Sequence, residues 1–253
     1  MWTVSPFISA HRGNCGVAGL PAAERYDRAI ELGVDYVELD VRRTADGVFV
    51  NYHDHVTPSG RLIGSLKYAE LKAEVGAELL TLAELLDVVA GRAGLHIDLK
   101  EPGHEAEIVS LVLAGEAGSR PIPIPSRPSG EGSVVVTTGE VESIRTIKEQ
   151  FPAVPAGLTL GADMKDARAW AGVGERLGEL FPGPRLKRSH ADFVVAHQQL
   201  ARIRLLGYCA RRRMAAWVWT VDQEAQIARF MADPRVTTLI TNRPDVALRF
   251  RSA

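Results

Sequence analysis

Short apolar segments alternate with helical patterns along almost the whole sequence, and this alternation limits the possible folds. Each segment has the length of a short strand, and most precede a helical pattern. Eight such strands are predicted, at residues 7–12, 36–41, 95–100, 134–138, 156–160, 193–197, 215–221 and 238–242. The predicted helices span residues 21–32, 82–90, 108–113, 140–150, 164–180, 198–209, 223–231 and 245–250. A regular strand–helix alternation of this kind is typical of a parallel sheet covered by helices.

Eight strand–helix units in 253 residues predict an α/β fold, a (β/α)8 TIM barrel. An extra antiparallel hairpin arm is predicted after strand 2, and the whole chain, residues 1–253, is predicted to form a single domain. An open doubly wound sheet is the alternative. It is less favoured because no G-x-G-x-x-G motif follows a strand.

The segment from Val34 to Asp54 predicts two antiparallel strands that bring charged groups together. Because strand side chains alternate, Glu38 and Asp40 share one face of the first strand. The Asp46-Gly47 dipeptide predicts a two-residue turn, which would place His53 directly opposite Asp40. An edge hairpin with these acids in solvent is the alternative, and the rest of the chain decides between the two.

In a barrel of this type, functional residues lie at the carboxyl ends of the strands. The predicted strand ends carry polar and charged groups and one tryptophan: His11, Arg12, Glu38, Asp40, Asp98, Lys100 and Trp219. Carboxylates on an inner barrel face are costly to bury unless a cation neutralises them. The sequence therefore suggests a metal site with a histidine beside it.

Charge and cysteine content exclude several classes of function. The net charge of −1 gives no reason to expect nucleic acid as a partner, and no apolar run is long enough for stable insertion into a membrane. Two cysteines form neither a disulfide framework nor a metal motif. With no recognisable signal peptide, a cytoplasmic location is expected. The oligomeric state is left open.

Six short motifs occur in one order along the chain and together resemble a known family. They are His11-Arg12-Gly13, Glu38-Leu39-Asp40-Val41, His53-Asp54, Asp98-Leu99-Lys100, Trp219-Thr220-Val221 and Ile240-Thr241-Asn242-Arg243-Pro244-Asp245. This ordered set resembles the glycerophosphodiester phosphodiesterases, within the phospholipase-C-like barrels. The resemblance implies hydrolysis of glycerophosphodiesters to glycerol 3-phosphate and an alcohol.

The resemblance also implies roles for individual residues. Glu38, Asp40 and Asp98 match the family's metal-binding acids, and His11 and His53 match its paired general acid and base. Arg12 and Lys100 match residues near the phosphate. Three carboxylates suit one divalent cation, Mg²⁺ or Ca²⁺, because both prefer oxygen ligands. The sequence does not say which histidine is the acid, and water or a substrate hydroxyl could be the nucleophile.

Some positions depart from the family pattern and leave the substrate open. Leu20-Pro21-Ala22 stands where a Glu-Asn-Thr triplet is usual, the third metal acid is the shorter Asp98, and the segment after Asp54 is trimmed. A lysophospholipase D or sphingomyelinase D-like enzyme acting on a lysolipid is therefore one alternative, and a non-catalytic phosphate-binding barrel is another. Trp219 could stack on the alcohol or fill the barrel mouth.

Overall fold

Eight parallel strands form a closed barrel in the computed structural model, which describes residues 5–89, 91–116, 134–161 and 181–251. Numbered in chain order with two further strands, they are β1 Phe7–Ala10, β2 Tyr36–Arg43, β5 Gly94–Leu99, β6 Val134–Thr138, β7 Ala156–Leu160, β8 Phe193–His197, β9 Ala215–Trp219 and β10 Thr238–Thr241. Each pairs in parallel with the next, and β1 closes the barrel by pairing with both β10 and β2. The predicted (β/α)8 barrel is confirmed.

Helices follow most strands and cover the outside of the barrel. The described helices are α1 Ala22–Glu31, α2 Tyr68–Val75, α3 Leu82–Val89, α4 Glu105–Glu116, α5 Val141–Gln150, α6 Gly183–Ser189, α7 Gln198–Leu200, α8 Leu206–Arg212, α9 Glu224–Met231 and α10 Pro244–Ala247. A π-helical segment, Ala201–Leu205, joins α7 to α8. The predicted helix 164–180 lies outside the described residues. No helix in the described ranges has the length and apolarity needed to cross a membrane.

The extra arm consists of two short antiparallel strands, β3 Phe49–Asn51 and β4 Leu80–Thr81, paired outward from β2. Thr81 also caps α3, which begins at the next residue. Its hydroxyl accepts a hydrogen bond from Glu84 N at 3.1 Å, and Glu84 Oε2 accepts from Thr81 N at 2.7 Å. This reciprocal capping box stabilises the helix start.

The predicted register of the hairpin is wrong by one residue. Val41 pairs with Asn51, and Asp40 O accepts a hydrogen bond from Tyr52 N at 3.0 Å, so His53 does not oppose Asp40. The loop has three residues, because Thr44 N donates to Val48 O and Gly47 adopts φ 86°. Thr44 Oγ1 stabilises this longer loop by donating to Asp46 Oδ1 at 2.7 Å and accepting from Val48 N at 3.0 Å.

Inside the barrel, strand alternation separates an apolar layer from a polar one. Large side chains such as Tyr36, Phe193 and Trp217 fill the interior near the amino ends of the strands. The polar side chains follow on the same inward faces. On β2 they are Glu38 and Asp40, two and four residues after Tyr36. The next strands add buried His96 and Thr137 and half-buried Asp98 at matching heights. The polar layer therefore lies at the carboxyl end of the barrel, where such folds carry their sites.

Candidate active site

A tight turn after β1 presents the first site residues. His11–Gly13 forms a single 3₁₀ turn in which Arg12 has φ 52° and Gly13 has φ 64°. A Cβ atom at Gly13 would lie 2.5 Å from the Tyr26 ring, so only glycine fits there. Arg12 N is thereby directed at the next strand and donates to Glu38 Oε2 at 2.6 Å.

The three predicted metal acids come together on two adjacent strands. Asp40 on β2 is level with Asp98 on β5, and Glu38 lies two residues before Asp40 on the same inward face. One oxygen from each carboxylate lies within 4.8 Å of the others. This is the spacing of ligands around a single ion, and an all-carboxylate donor set fits a hard cation such as Mg²⁺ or Ca²⁺.

Protein donors contact one oxygen of Glu38 and both oxygens of Asp40 and of Asp98 among the described residues. Glu38 Oε2 accepts from Arg12 N, Asp40 Oδ2 lies 3.2 Å from Arg12 Nε, and Asp98 Oδ1 accepts from Thr137 Oγ1 at 2.6 Å. Of the second oxygens, Asp40 Oδ1 lies 2.8 Å from Lys100 Nζ, and Asp98 Oδ2 also contacts that ammonium. Lys100 therefore lies against the acids as an internal cation, whereas the sequence interpretation assigned it to the phosphate.

The charges in this cluster are unevenly balanced. Burial would raise the pKa of Asp40, but Lys100 and Arg12 outweigh it and lower that pKa to about 2. Burial and the neighbouring Asp40 carboxylate instead raise the pKa of Glu38. Asp98 and Asp40 raise the pKa of Lys100 against the effect of its own burial. The cluster can thus accept further positive charge, because Glu38 has no cationic side chain among its described hydrogen-bonding partners.

His11 lies at the end of β1, close to the acids. Its Nδ1 is 2.9 Å from Asn242 Oδ1 on the segment that follows β10. Burial, and next the Arg12 guanidinium, lower the pKa of His11. The ring is therefore neutral at neutral pH, as a general base must be before it takes a proton.

His53 reaches the same region from the arm, beyond the end of β3. Its main-chain carbonyl accepts from Arg42 Nε at 3.0 Å and from Arg42 Nη2 at 2.9 Å, and Nδ1 lies 2.7 Å from Asp54 Oδ1. The sequence placed this histidine at the site both by the family resemblance and by strand pairing with Asp40, and the pairing is wrong by one residue. The histidine is held there by the arginine fork instead.

A polar cavity of about 210 Å³ adjoins the acids. Site residues and neighbouring polar groups line most of it: Arg12, Arg25, Asp40, Asn51, Tyr52, His53, Asp54, Val75 and Glu78. Trp219 is not among these lining residues. Its Nε1 donates to Leu160 O at 3.3 Å, and its ring meets His197 edge-on with centroids 5.5 Å apart.

Sequence reasoning missed the groups that support Asp98 from within the barrel. His96, interpreted as structural, lies between Ser9 Oγ at 3.1 Å from its Nδ1 and Thr137 Oγ1 at 2.9 Å from its Nε2. Because Thr137 donates its hydrogen to Asp98, His96 Nε2 must donate to Thr137. Thr137 and Ser9 share the inward parity of the acids, and this was the signal available in the sequence.

Comparison with known proteins agrees with this geometry. The model of the glycerophosphoryl diester phosphodiesterase family matches residues 11–246. A glycerophosphodiester phosphodiesterase of Bacillus subtilis is 26% identical over 262 residues, covering 94% of this chain and 83% of the relative.

Solved structures of low sequence identity share the fold. A glycerophosphodiester phosphodiesterase from Parabacteroides distasonis aligns with a TM-score of 0.72 at 22% identity, covering 98% of this chain and 97% of the other. An Oleispira antarctica phosphodiesterase, solved in complex with the product sn-glycerol-3-phosphate, aligns with a TM-score of 0.68 at 18% identity, covering 97% of this chain and 96% of the other.

Proposed function

Because this chain belongs to the glycerophosphoryl diester phosphodiesterase family, we propose that it hydrolyses glycerophosphodiesters to glycerol 3-phosphate and an alcohol. The reaction depends on one divalent cation, and His11 and His53 transfer the protons. The observation that carries this proposal is the grouping of three carboxylates, whose ligand oxygens lie within 4.8 Å of one another, beside a polar cavity lined by His53.

Glu38, Asp40 and Asp98 would hold the cation, which when bound supplies positive charge to the phosphate and to the nucleophile. Arg12 is 39% exposed on its side chain and lines the cavity, so its guanidinium is available to phosphate oxygens while Nε stays on Asp40. Lys100 holds Asp40 and Asp98 in place and adds a second positive charge. These cations offset the charge that builds up on the phosphoryl oxygens.

Proton transfer is divided between the two histidines. His11 is neutral because its pKa is lowered, and it accepts the proton of the nucleophile. His53 donates a proton to the leaving alkoxide from the cavity side, and Asp54 fixes its Nδ1–H. One histidine thus acts on the attacking group and the other on the leaving group.

The cavity favours a small polar substrate over a lysolipid. Val75 is the only aliphatic side chain in its lining among the described residues, and the rest are polar or charged. A long acyl chain gains little from such walls, whereas glycerol hydroxyls find hydrogen-bonding partners there. The lysophospholipase D and sphingomyelinase D-like alternatives therefore have less support, and two proton-transfer groups are more than a binding protein needs.

Turnover of glycerophosphocholine with Mg²⁺, with Ca²⁺ and with EDTA tests this function, with lysophosphatidylcholine as the comparison substrate. We expect cation-dependent release of glycerol 3-phosphate, little release from the lysolipid, and no cation-induced rise in Tm for Asp98→Asn. Asp233→Asn is the matched control, because Asp233 pairs with Arg235 in the loop before β10, at the amino end of the barrel and opposite the site. Full turnover in EDTA, or faster turnover of the lysolipid, would refute the proposal.

A further inference from the structure

The side chain that contacts His11 is itself held by an acid on a neighbouring segment. Asp222, just after β9, accepts hydrogen bonds from Asn242 N at 2.8 Å and from Asn242 Nδ2 at 2.7 Å. Thr241 Oγ1 donates to the same carboxylate at 3.2 Å. A carboxylate only accepts hydrogen bonds, so Asn242 must present its amino group to Asp222 and its oxygen to His11.

A second contact fixes the same orientation independently. Asn14 Nδ2 donates to the main-chain carbonyl of His11 at 3.0 Å and to Asn242 Oδ1 at 2.8 Å. A carbonyl cannot donate, so the nitrogen of Asn14 faces both partners, and the group it meets on Asn242 must be the oxygen. Two separate acceptors, a carboxylate and a peptide carbonyl, therefore determine which way the Asn242 amide faces.

The orientation of this amide decides where the His11 ring carries its hydrogen. Asn242 Oδ1 can only accept, so His11 Nδ1, 2.9 Å away, must be the donor. In a neutral imidazole only one nitrogen bears hydrogen, and Nε2 then keeps its lone pair. We propose that Asn242, held by Asp222, is a positioning residue that fixes His11 in the Nδ1–H tautomer, so that Nε2 takes the proton of the nucleophile.

Only the last step of this proposal rests on the proposed function. In that step the O–H bond of the nucleophile breaks, its proton binds His11 Nε2, and its electron pair forms the bond to phosphorus. The bond from phosphorus to the leaving oxygen breaks, and that oxygen takes its proton from His53. Asn242 cannot take the proton from Nδ1, because an amide oxygen is a very weak base. The proton therefore stays on the imidazole ring until it leaves through Nε2.

The tautomer can be measured without substrate. Long-range ¹H–¹⁵N correlation spectra of protein labelled at histidine distinguish a ring with hydrogen on Nδ1 from one with hydrogen on Nε2. His11 signals are assigned by their loss in His11→Ala. We expect the Nδ1–H form in the wild type and a mixture of both forms in Asn242→Leu. Hydrogen on Nε2 in the wild type would overturn the proposal, whether or not the proposed activity is correct.

Kinetics at a pH where His11 is neutral test the consequence. Asn242→Leu should lower kcat about 10²-fold, the scale of a lost general base, with KM nearly unchanged. Asn242→Asp should also lower kcat, because two carboxylates then face each other. The double variant Asp222→Asn with Asn242→Asp exchanges the two groups, so that an amide at position 222 donates to a carboxylate at position 242. It should show the Nδ1–H form of His11 and recover most of kcat.

Asp233→Asn is again the control. Like Asp222, Asp233 accepts hydrogen bonds from both the main chain and the side chain of one residue, here from Arg235 N at 3.0 Å and from Arg235 Nε. It should leave kcat and the His11 spectrum unchanged. Two kinetic results would overturn the proposal. One is wild-type kcat in Asn242→Leu. The other is a reversed pair that keeps the wild-type Tm and yet is no more active than Asn242→Asp. Should a variant fail to fold, the wild-type spectrum still decides the matter.

Discussion

His53 and His11 differ in what surrounds their rings. The His53 side chain is 33% exposed, lines the polar cavity and has the Asp54 carboxylate at Nδ1. His11 has an uncharged amide at the same position, and its pKa is lowered by burial and by Arg12. Burial beside a cation suits a ring that must begin neutral, and His53 lies on the exposed side where a leaving group can reach it. Under the proposed function, this contrast is the reason for assigning His11 as the base and His53 as the acid.

A change of the leaving group in the substrate therefore tests whether His53 is the general acid. We expect His53→Ala to lose about 10²-fold in kcat on glycerophosphocholine, because an alkoxide leaves poorly without a proton. On a nitrophenyl phosphodiester the loss should be much smaller, since nitrophenolate needs no proton. His11→Ala should lose activity on both substrates. Initial rates with the two substrates check this, and the reverse pattern would exchange the two roles.

Strand parity and the family resemblance together predicted which acids meet. Alternation put Glu38 and Asp40 on one face, the resemblance added Asp98, and the three carboxylates are neighbours in the structure. The support for His11 could not be predicted in this way. Asn242 lay within a recognised motif but had no assigned role, because its partners Asp222 and Asn14 follow other strands. Residues in loops do not alternate with a fixed spacing, so a sequence pattern does not show which loop residues are in contact.

Among the elements, the hairpin arm shows where local signals fail. An Asp-Gly pair occurs in two-residue turns and also in three-residue loops that end in a left-handed glycine. Here Thr44 decides for the longer loop through its bonds to Asp46 and Val48, and Asp46 Oδ1 also accepts from Tyr68 N at 2.9 Å. The last contact joins residues 22 apart in sequence, so a local count could not foresee it.

The attachment of the arm to β2 gives a prediction for Arg42. Its fork donates two hydrogen bonds to the His53 carbonyl, so Arg42→Lys should let the histidine move. We expect kcat to fall roughly 10- to 10²-fold, the cost of misplacing a reacting group by about 1 Å. Cation affinity, measured by calorimetry, should hardly change.

The matched control for this variant is Arg61→Lys. Arg61 lies on the same arm but pairs with Glu70 at the surface, with 3.1 Å between the charged atoms. Both kcat and cation affinity should remain at wild-type values in this control. A normal kcat in Arg42→Lys would mean that the arm holds His53 by other contacts.

For the whole molecule, strand–helix alternation predicted the barrel because each unit repeats the same pattern. The single-domain prediction for residues 1–253 remains a prediction. In its support, both described ends of the chain contact Asp35: Ile8 N donates to Asp35 Oδ2 at 2.7 Å, and Arg251 forms an ion pair with the same oxygen. Such contacts join the first strand to the segment that follows the last described helix.

Two buried thiols can test whether the molecule unfolds as one unit. Cys15 and Cys209 are 2% and 1% exposed and lie far apart in sequence, and burial raises the pKa of Cys209 to about 12. At pH 8 we expect neither to react with a thiol reagent in the native state. In rising urea both should become reactive with the same midpoint. Labelling followed by mass spectrometry checks this, and separate midpoints would divide the chain into two units.

The β1–β10 seam joins strands at opposite ends of the described chain. Pairs such as Phe7 with Thr238 are separated by more than two hundred residues, so the seam forms among the last contacts as the chain leaves the ribosome. Glu38, Asp40, Asp98 and His53 are all synthesised well before β10. A nascent chain could therefore group its acids before Asn242 exists to orient His11. Under the proposed function, proton transfer would therefore reach its full rate only once synthesis has passed the last strand.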